Sequence, residues 1–195
     1  MNSISRSKSY QLPALISLFL GPALMLISTF FWKDGQYGVE GGELVILSSI
    51  FWIAALSVLF DLLSPKYPRY AAWGRLISTI GFASGICFGF LGMMAEIFEI
   101  PHQQYLAAFA QHPFETNLVL FWPGPLAPLS LLVLGIQLYR SRLIPGWTAL
   151  LICLGAIAFP LSRIARIEWV AHISDLLQFI PLSYISWDFL FRPQK

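Results

Sequence analysis

Three ionisable side chains share one face of a helix predicted near the C-terminus. Glu168, His172 and Asp175 are spaced four and three residues apart, and at about 3.6 residues per turn this spacing places them on one face. The surrounding run is apolar, where an ionisable group is costly unless it has a partner. We expect either an ion pair with Arg163 or Arg166, the nearest cations in sequence, or a site for a ligand, a proton or a metal.

A second group of candidates lies on one face of an apolar run that ends at Glu96 and Glu99. Small residues recur there at every third or fourth position, and the four central ones are Gly81, Gly85, Gly89 and Gly92. Small residues at this spacing let a second helix approach closely. We predict that these glycines pack a helix and that the two glutamates point into a bundle rather than into lipid.

The candidate ligand-binding residues all map to one half of the predicted structure, as do all three histidines. They are Glu96, Glu99, Arg163, Arg166, Glu168, His172 and Asp175. Metal ligation by Glu96, Glu99 and His102 is disfavoured because Pro101 interrupts the series. No phosphate-binding loop, dinucleotide fingerprint, HExxH or G-x-S-x-G motif occurs. We therefore predict no metal and no cofactor, and we assign no catalytic residue.

The composition indicates that these residues are held in a membrane. Of 195 residues, 57% are hydrophobic and 11% are charged, whereas an ordinary soluble domain has about 25% charged residues. The mean hydropathy is +0.69, and a soluble fold of this length could not bury so much apolar surface. This excludes a soluble enzyme, a disordered protein and a disulfide scaffold. The lipid bilayer is a predicted partner and nucleic acid is not.

Six apolar runs are long enough to be membrane-spanning helices, for which about 20 residues are needed. The predicted fold is an all-α, polytopic membrane helix bundle forming a single membrane domain over residues 1–195. The helices are predicted at 12–32, 43–63, 74–98, 118–139, 146–162 and 169–190, with a short surface segment at 100–116. Three prolines (Pro123, Pro125 and Pro128) interrupt the fourth run, so its regular helix is expected to begin near Pro125.

The distribution of basic residues predicts the orientation. With the N-terminus inside, the inner segments hold nine Lys or Arg residues and the outer segments hold three, which follows the positive-inside rule. The inner nine are Arg6, Lys8, Lys66, Arg69, Arg75, Arg140, Arg142, Arg192 and Lys195, and the outer three are Lys33, Arg163 and Arg166. Both termini are therefore predicted to be cytoplasmic.

One segment between two predicted helices resembles a known kind of protein. Residues 124–147 end an apolar helix in Tyr139-Arg140-Ser141, followed by a turn with Leu143-Ile144-Pro145 and a new helix. This is similar to a family of uncharacterised bacterial multi-pass inner-membrane proteins, in which Arg or Lys usually stands where this chain has Gly146. The resemblance implies a bacterial inner-membrane protein of about six helices and no established activity.

Three hypotheses for the function remain open. The leading one is a non-enzymatic membrane protein that binds or passes a small ligand, a lipid or an ion through an outward-facing polar pocket. The second is a transmembrane enzyme that uses outer carboxylates on a lipid or apolar substrate. The third is a structural subunit whose glycine face on the third helix docks a helix of a second copy or of a partner membrane subunit.

Overall fold

A computed structural model describes residues 8–33 and 36–191, and it is all-α apart from one short hairpin. The elements are α1 (Lys8–Thr29), β1 (Trp32–Lys33), β2 (Gln36–Tyr37), α2 (Val39–Leu63), α3 (Pro68–Ile97), α4 (His102–Gln111), α5 (Pro113–Thr116), a π-helical turn (Asn117–Phe121), α6 (Leu126–Arg140), α7 (Gly146–Ala165) and α8 (Glu168–Phe191). The hairpin is antiparallel and pairs Trp32 with Tyr37 and Lys33 with Gln36. Of the basic residues used to orient the chain, Arg6, Arg192 and Lys195 lie outside the described residues.

The long helices form a closed ring in which each packs against its two neighbours. The order around the ring is α1, α2, α3, α6, α7 and α8, and α8 returns to α1. The centre is filled by large apolar side chains that are fully buried, among them Trp52, Phe60, Leu134 and Leu182. Many other large apolar side chains face outward, as expected for a bundle whose exterior is in contact with lipid.

Four helical segments are long and apolar enough to cross a membrane. They are Val39–Leu63, Pro68–Ile97, Pro113–Arg140 and Gly146–Ala165, while the apolar part of α1 is shorter, at Leu15–Thr29. α8 is not among the four, and its first half carries Glu168, His172, Asp175 and Gln178. The count of six crossings and the orientation of the termini remain predictions.

The glycine face of α3 packs against its own chain. A Cβ atom added to Gly89 would lie 2.7 Å from the carbonyl oxygen of Gly42 on α2, and one added to Gly92 would lie 2.6 Å from that of Tyr37. Gly81 contacts the backbone of Ala127 on α6 in the same way. This face is therefore occupied by α2, β2 and α6. The prediction that these glycines pack a helix is thus met within the chain, and the hypothesis that the face docks a partner helix gains no support from this packing.

The fourth apolar run, which the prolines interrupt, is helical over most of its length. Its helix type changes from π before the prolines to α after Pro125. The N–H of Trp122 donates to the carbonyl of Asn117 at 2.8 Å, the π-type spacing, and α6 begins immediately after Pro125. Prolines cannot donate backbone hydrogen bonds, and Ser84 of α3 donates instead to the carbonyl of Leu120 at 2.8 Å. One carbonyl of this irregular segment is thus satisfied from within the protein, as a membrane environment requires.

Replacement of Gly89 by alanine should destabilise the protein because the new methyl group would overlap the α2 backbone. We expect a loss of about 1–3 kcal/mol of unfolding free energy, measured by denaturation in detergent. Gly124→Ala is the matched control, since the nearest atom to its added Cβ is 3.4 Å away. Equal stability of the Gly89→Ala variant and the parent would contradict close packing at this position.

Candidate functional site

A buried ion pair joins α7 to α8 at the end of the bundle that carries the hairpin. Arg163 donates from Nη2 to both carboxylate oxygens of Asp175, at 3.0 and 3.1 Å. Thr29, the last residue of α1, donates from Oγ1 to Oδ2 of Asp175 at 2.6 Å. The Asp175 side chain is 0% exposed and that of Arg163 is 14% exposed. This is the structural ion pair predicted as one alternative, formed with Arg163 and not with Arg166.

The guanidinium group of Arg163 contacts two aromatic rings. Its Cζ lies 4.7 Å from the ring centroid of Trp32 in the hairpin and 4.7 Å from that of Phe159 on α7. Such cation–π contacts stabilise a desolvated cation. The paired residue of the hairpin, Tyr37, packs its ring edge-on to Trp32. Burial raises the pKa of the Tyr37 hydroxyl, and the charge of Arg163 acts in the opposite direction.

A cavity of about 510 Å³ lies beside this ion pair, between α2, α3, α6 and α7. Its walls are mostly apolar and aromatic, and the polar side chains that line it are Trp32, Gln36, Tyr37, Ser49, His102, Tyr105, Arg163, Arg166 and Gln178. Leu106 and Phe109 of α4 also line it, so α4 covers one side. Ligand sites in proteins are commonly apolar cavities of about 300–1,000 Å³ with a few placed polar groups.

Hydrogen bonds connect α4 to two other elements over the cavity. Arg166 donates from Nη2 to Nε2 of His102 at 3.0 Å. Since arginine has no acceptor, His102 must be neutral with its proton on Nδ1, which contacts the hydroxyl of Tyr105. Tyr105 in turn donates to Oε1 of Gln36 at 3.2 Å. Burial, and then the charge of Arg166, lower the pKa of His102, which favours this neutral form.

Three polar atoms at the cavity wall are buried without a hydrogen-bond partner among the described residues. They are Nε1 of Trp32, Nε of Arg163 and the hydroxyl of Ser49, and all three residues line the cavity. The neighbouring Ser48 is different, since its hydroxyl donates to the carbonyl of Gly21 at 2.7 Å. A buried polar group without a partner costs about 1–3 kcal/mol. The cavity wall therefore presents donors that an acceptor on a bound molecule would satisfy.

The remaining predicted ligand residues lie away from the cavity. Glu96 forms an ion pair with Lys33 and accepts a hydrogen bond from the backbone N–H of Val39, at the N-terminus of α2. Glu99 is exposed and has a positive φ of 51°. The prediction that Glu99 points into the bundle is wrong, because its side chain is exposed. Glu99 adopts the left-handed conformation just after α3 ends, as residues at helix C-termini often do. Glu96 takes part in helix capping.

The two other polar residues on the predicted α8 face pair with each other. His172 Nε2 lies 3.7 Å from the carboxylate of Glu168, one turn earlier, whose side chain is 63% exposed. The ring of His172 packs on that of Phe30, with centroids 4.3 Å apart. Among the described residues, no group of three or more His, Cys, Asp or Glu side chains could hold a metal ion. Of the seven predicted ligand residues, Arg163 and Arg166 line the cavity, and Asp175 supports Arg163.

Several lining residues were not predicted from the sequence. Trp32 and Tyr37 flank the dipeptide Asp34-Gly35, which is a strong signal for a two-residue hairpin between alternating residues. That signal could have indicated the hairpin, although not its contact with Arg163. Ser49 and Gln178 carry no comparable signal, because single hydroxyl and amide residues are common in membrane helices and usually bond to a nearby carbonyl.

A family comparison covers most of this structure. The family described as Domain of unknown function (DUF4386) matches residues 37–190. The chain belongs to this family. The matched residues run from Tyr37 through nearly all of α8, so they include Arg163, Asp175 and most of the cavity wall but leave out Thr29 and Trp32. No match was found among curated proteins or among solved structures.

Replacement of Asp175 by asparagine should destabilise the protein by about 3–5 kcal/mol, because it leaves the charge of Arg163 buried without its partner. The free energy of unfolding in detergent measures this loss. Glu168→Gln, on the same helix but exposed, is the control and should change stability by less than about 0.5 kcal/mol. An Asp175→Asn variant as stable as the parent would show that the ion pair does not support the fold.

Acidification should loosen α4. The folded pKa of His102 is depressed below its ordinary value of 6.5, so its contribution to stability is present above pH 6.5 and is lost as the pH falls through the folded pKa. A cysteine placed at Phe109, in a background without Cys87 and Cys153, should then react faster with a thiol reagent after correction for thiolate content. The same acceleration in His102→Gln, which cannot titrate, would contradict this assignment.

Proposed function

We propose that this DUF4386 member is a multi-pass membrane protein that binds a small amphipathic molecule in the cavity beside Arg163. The observation that carries the proposal is the cavity itself, whose walls are mostly apolar and whose unpaired polar atoms, Trp32 Nε1, Arg163 Nε and Ser49 Oγ, are buried. An apolar body would fill the space between the helices, and an acceptor group would satisfy the donors. The result is a site for one molecule with two chemically different ends.

The proposed topology has six crossings with both termini in the cytoplasm. Four segments qualify by length and composition, and α1 and α8 close the ring with them by packing against each other. A ring of this kind requires α1 and α8 to lie at the same depth as their neighbours. The excess of basic residues at the end opposite the hairpin supports an outer location for the cavity. The sequence resemblance supports a bacterial inner membrane.

Binding is favoured over passage through the membrane. At the end opposite the hairpin, the ring is filled by fully buried apolar side chains, including Leu56, Leu59, Leu63 and Leu138. An ion or polar molecule leaving the cavity inward would have to pass through this dry packing, at a high free-energy cost. We therefore assign no transport path to this conformation.

Binding is also favoured over catalysis by the predicted carboxylates. Glu96 and Glu99 do not line the cavity, and Asp175 is held by Arg163 and Thr29. A general acid or base must lie within hydrogen-bond reach of the group it serves. No carboxylate is among the described residues that line the cavity, so the enzyme hypothesis loses the residues on which it depended.

A neutral fluorescent molecule tests the cavity as a binding site. N-phenyl-1-naphthylamine should bind saturably to the protein in lipid nanodiscs, above the linear partitioning into empty nanodiscs. Gly124→Phe should abolish the saturable component, because Gly124 lines the cavity and its added Cβ would make only ordinary van der Waals contacts, so that the ring can enter the cavity. Gly146→Phe, placed outside the cavity, is the matched control and should retain binding. The absence of saturable binding to the parent protein would contradict the proposed function.

Cysteine labelling in intact cells tests the topology. In a background without Cys87 and Cys153, a cysteine at Gln111 in the exposed end of α4 should react with a membrane-impermeant thiol reagent. A cysteine at Lys66, in the connection between α2 and α3, should react only after the cells are lysed. Labelling of the Lys66 position in intact cells would show that the orientation is reversed.

A further inference from the structure

The charges around the cavity indicate which end of a bound molecule it selects. Two arginines, Arg163 and Arg166, line the cavity together with His102, and no Asp or Glu does so among the described residues. Asp175 is not one of the lining residues. Its carboxylate accepts hydrogen bonds from Nη2 of Arg163 and offsets the charge of that arginine. Among the described residues Arg166 has no acidic partner, and its neighbours are neutral His102 and the hydroxyl of Tyr105. The lining as a whole is therefore cationic.

The donors left on Arg163 are presented in a fixed orientation. Nη2 is taken by Asp175 and Thr29, whereas Nη1 has one long contact of 3.5 Å to Ser162 Oγ and Nε has no hydrogen-bond partner among the described residues. The hydroxyl of Tyr37 also interacts with this guanidinium group. The rings of Trp32 and Phe159 each lie 4.7 Å from Cζ of Arg163 and restrict the guanidinium group. The unpaired Nε–H is a charged donor, which forms a stronger hydrogen bond with a carboxylate than with a neutral acceptor.

Resting on the function proposed above, we propose that the natural ligand is an anionic amphiphile of the fatty-acid class, with its carboxylate at Arg163. Its alkyl part lies against the apolar wall formed by residues such as Trp52, Phe82 and Leu131. The hydroxyl of Ser49 is a further donor at the same cavity. The site therefore selects a negative head and an apolar tail together.

Competition between matched molecules tests the charge of the head. At about pH 8, where His102 is neutral, dodecanoate should displace N-phenyl-1-naphthylamine at a concentration at least about tenfold lower than its methyl ester, since charge-assisted hydrogen bonds are the stronger ones. Dodecyltrimethylammonium should not displace the dye. Equal displacement by the ester would overturn the anionic specificity and leave the binding function intact. Loss of saturable dye binding itself would overturn both.

Two adjacent serines provide a matched pair of variants. Ser49→Ala should weaken dodecanoate binding several-fold, because it removes an unpaired donor at the cavity. Ser48→Ala should not alter dodecanoate binding, because that hydroxyl is bonded to Gly21 and lies outside the lining. Equal affinity of the two variants for dodecanoate would contradict a role for the Ser49 hydroxyl.

Asp175→Asn separates the ligand role of Arg163 from its structural role. The variant should be less stable, yet it should bind dodecanoate more tightly than the parent, because the carboxylate that offsets Arg163 is gone. Direct dialysis with labelled dodecanoate against nanodiscs measures the affinity. Weaker dodecanoate binding by this folded variant would contradict the placement of the anion at Arg163.

Discussion

The ion pair between Arg163 and Asp175 is the interaction on which the hairpin end of the bundle depends. It joins α7 to α8, and Thr29 at the end of α1 donates a hydrogen bond to the same carboxylate. Arg163 also packs against the ring of Trp32. A charge at this depth needs its partner, since burial of either group alone would cost several kcal/mol. Arg163 also lines the cavity. Structural support and ligand recognition therefore use the same side chain.

Direct backbone contacts at glycine residues set the shape of the cavity wall formed by α3. Gly81, Gly89 and Gly92 bring α3 into direct contact with α2, α6 and the hairpin. The prolines before α6 and the π-helical turn shift the chain between α5 and α6 away from a continuous helix. The cavity lies where this irregular segment, the hairpin and α4 meet the regular helices. Its apolar lining follows from the composition of helices that otherwise face lipid.

The sequence predicts those features that depend on the types and spacing of neighbouring residues along the chain. Apolar length locates the helices, glycine spacing identifies the packing face, and the depth of Asp175 requires a partner. Contacts between distant segments are not encoded in such patterns. Glu96 has suitable chemistry for a ligand site, but its partners Lys33 and Val39 lie in another segment. The lateral order of helices around the ring, and hence the cavity between them, could not be derived from periodicity alone.

The most direct test of the account is an experimental structure of the protein with bromine-labelled dodecanoate. The anomalous signal of bromine should lie inside the cavity among Trp52, Phe82 and Leu131, with the carboxylate within hydrogen-bond distance of Arg163. The Arg163–Asp175 pair should remain intact in the same density. Bromine found only on the lipid-facing surface, with the cavity filled by protein side chains, would contradict the account.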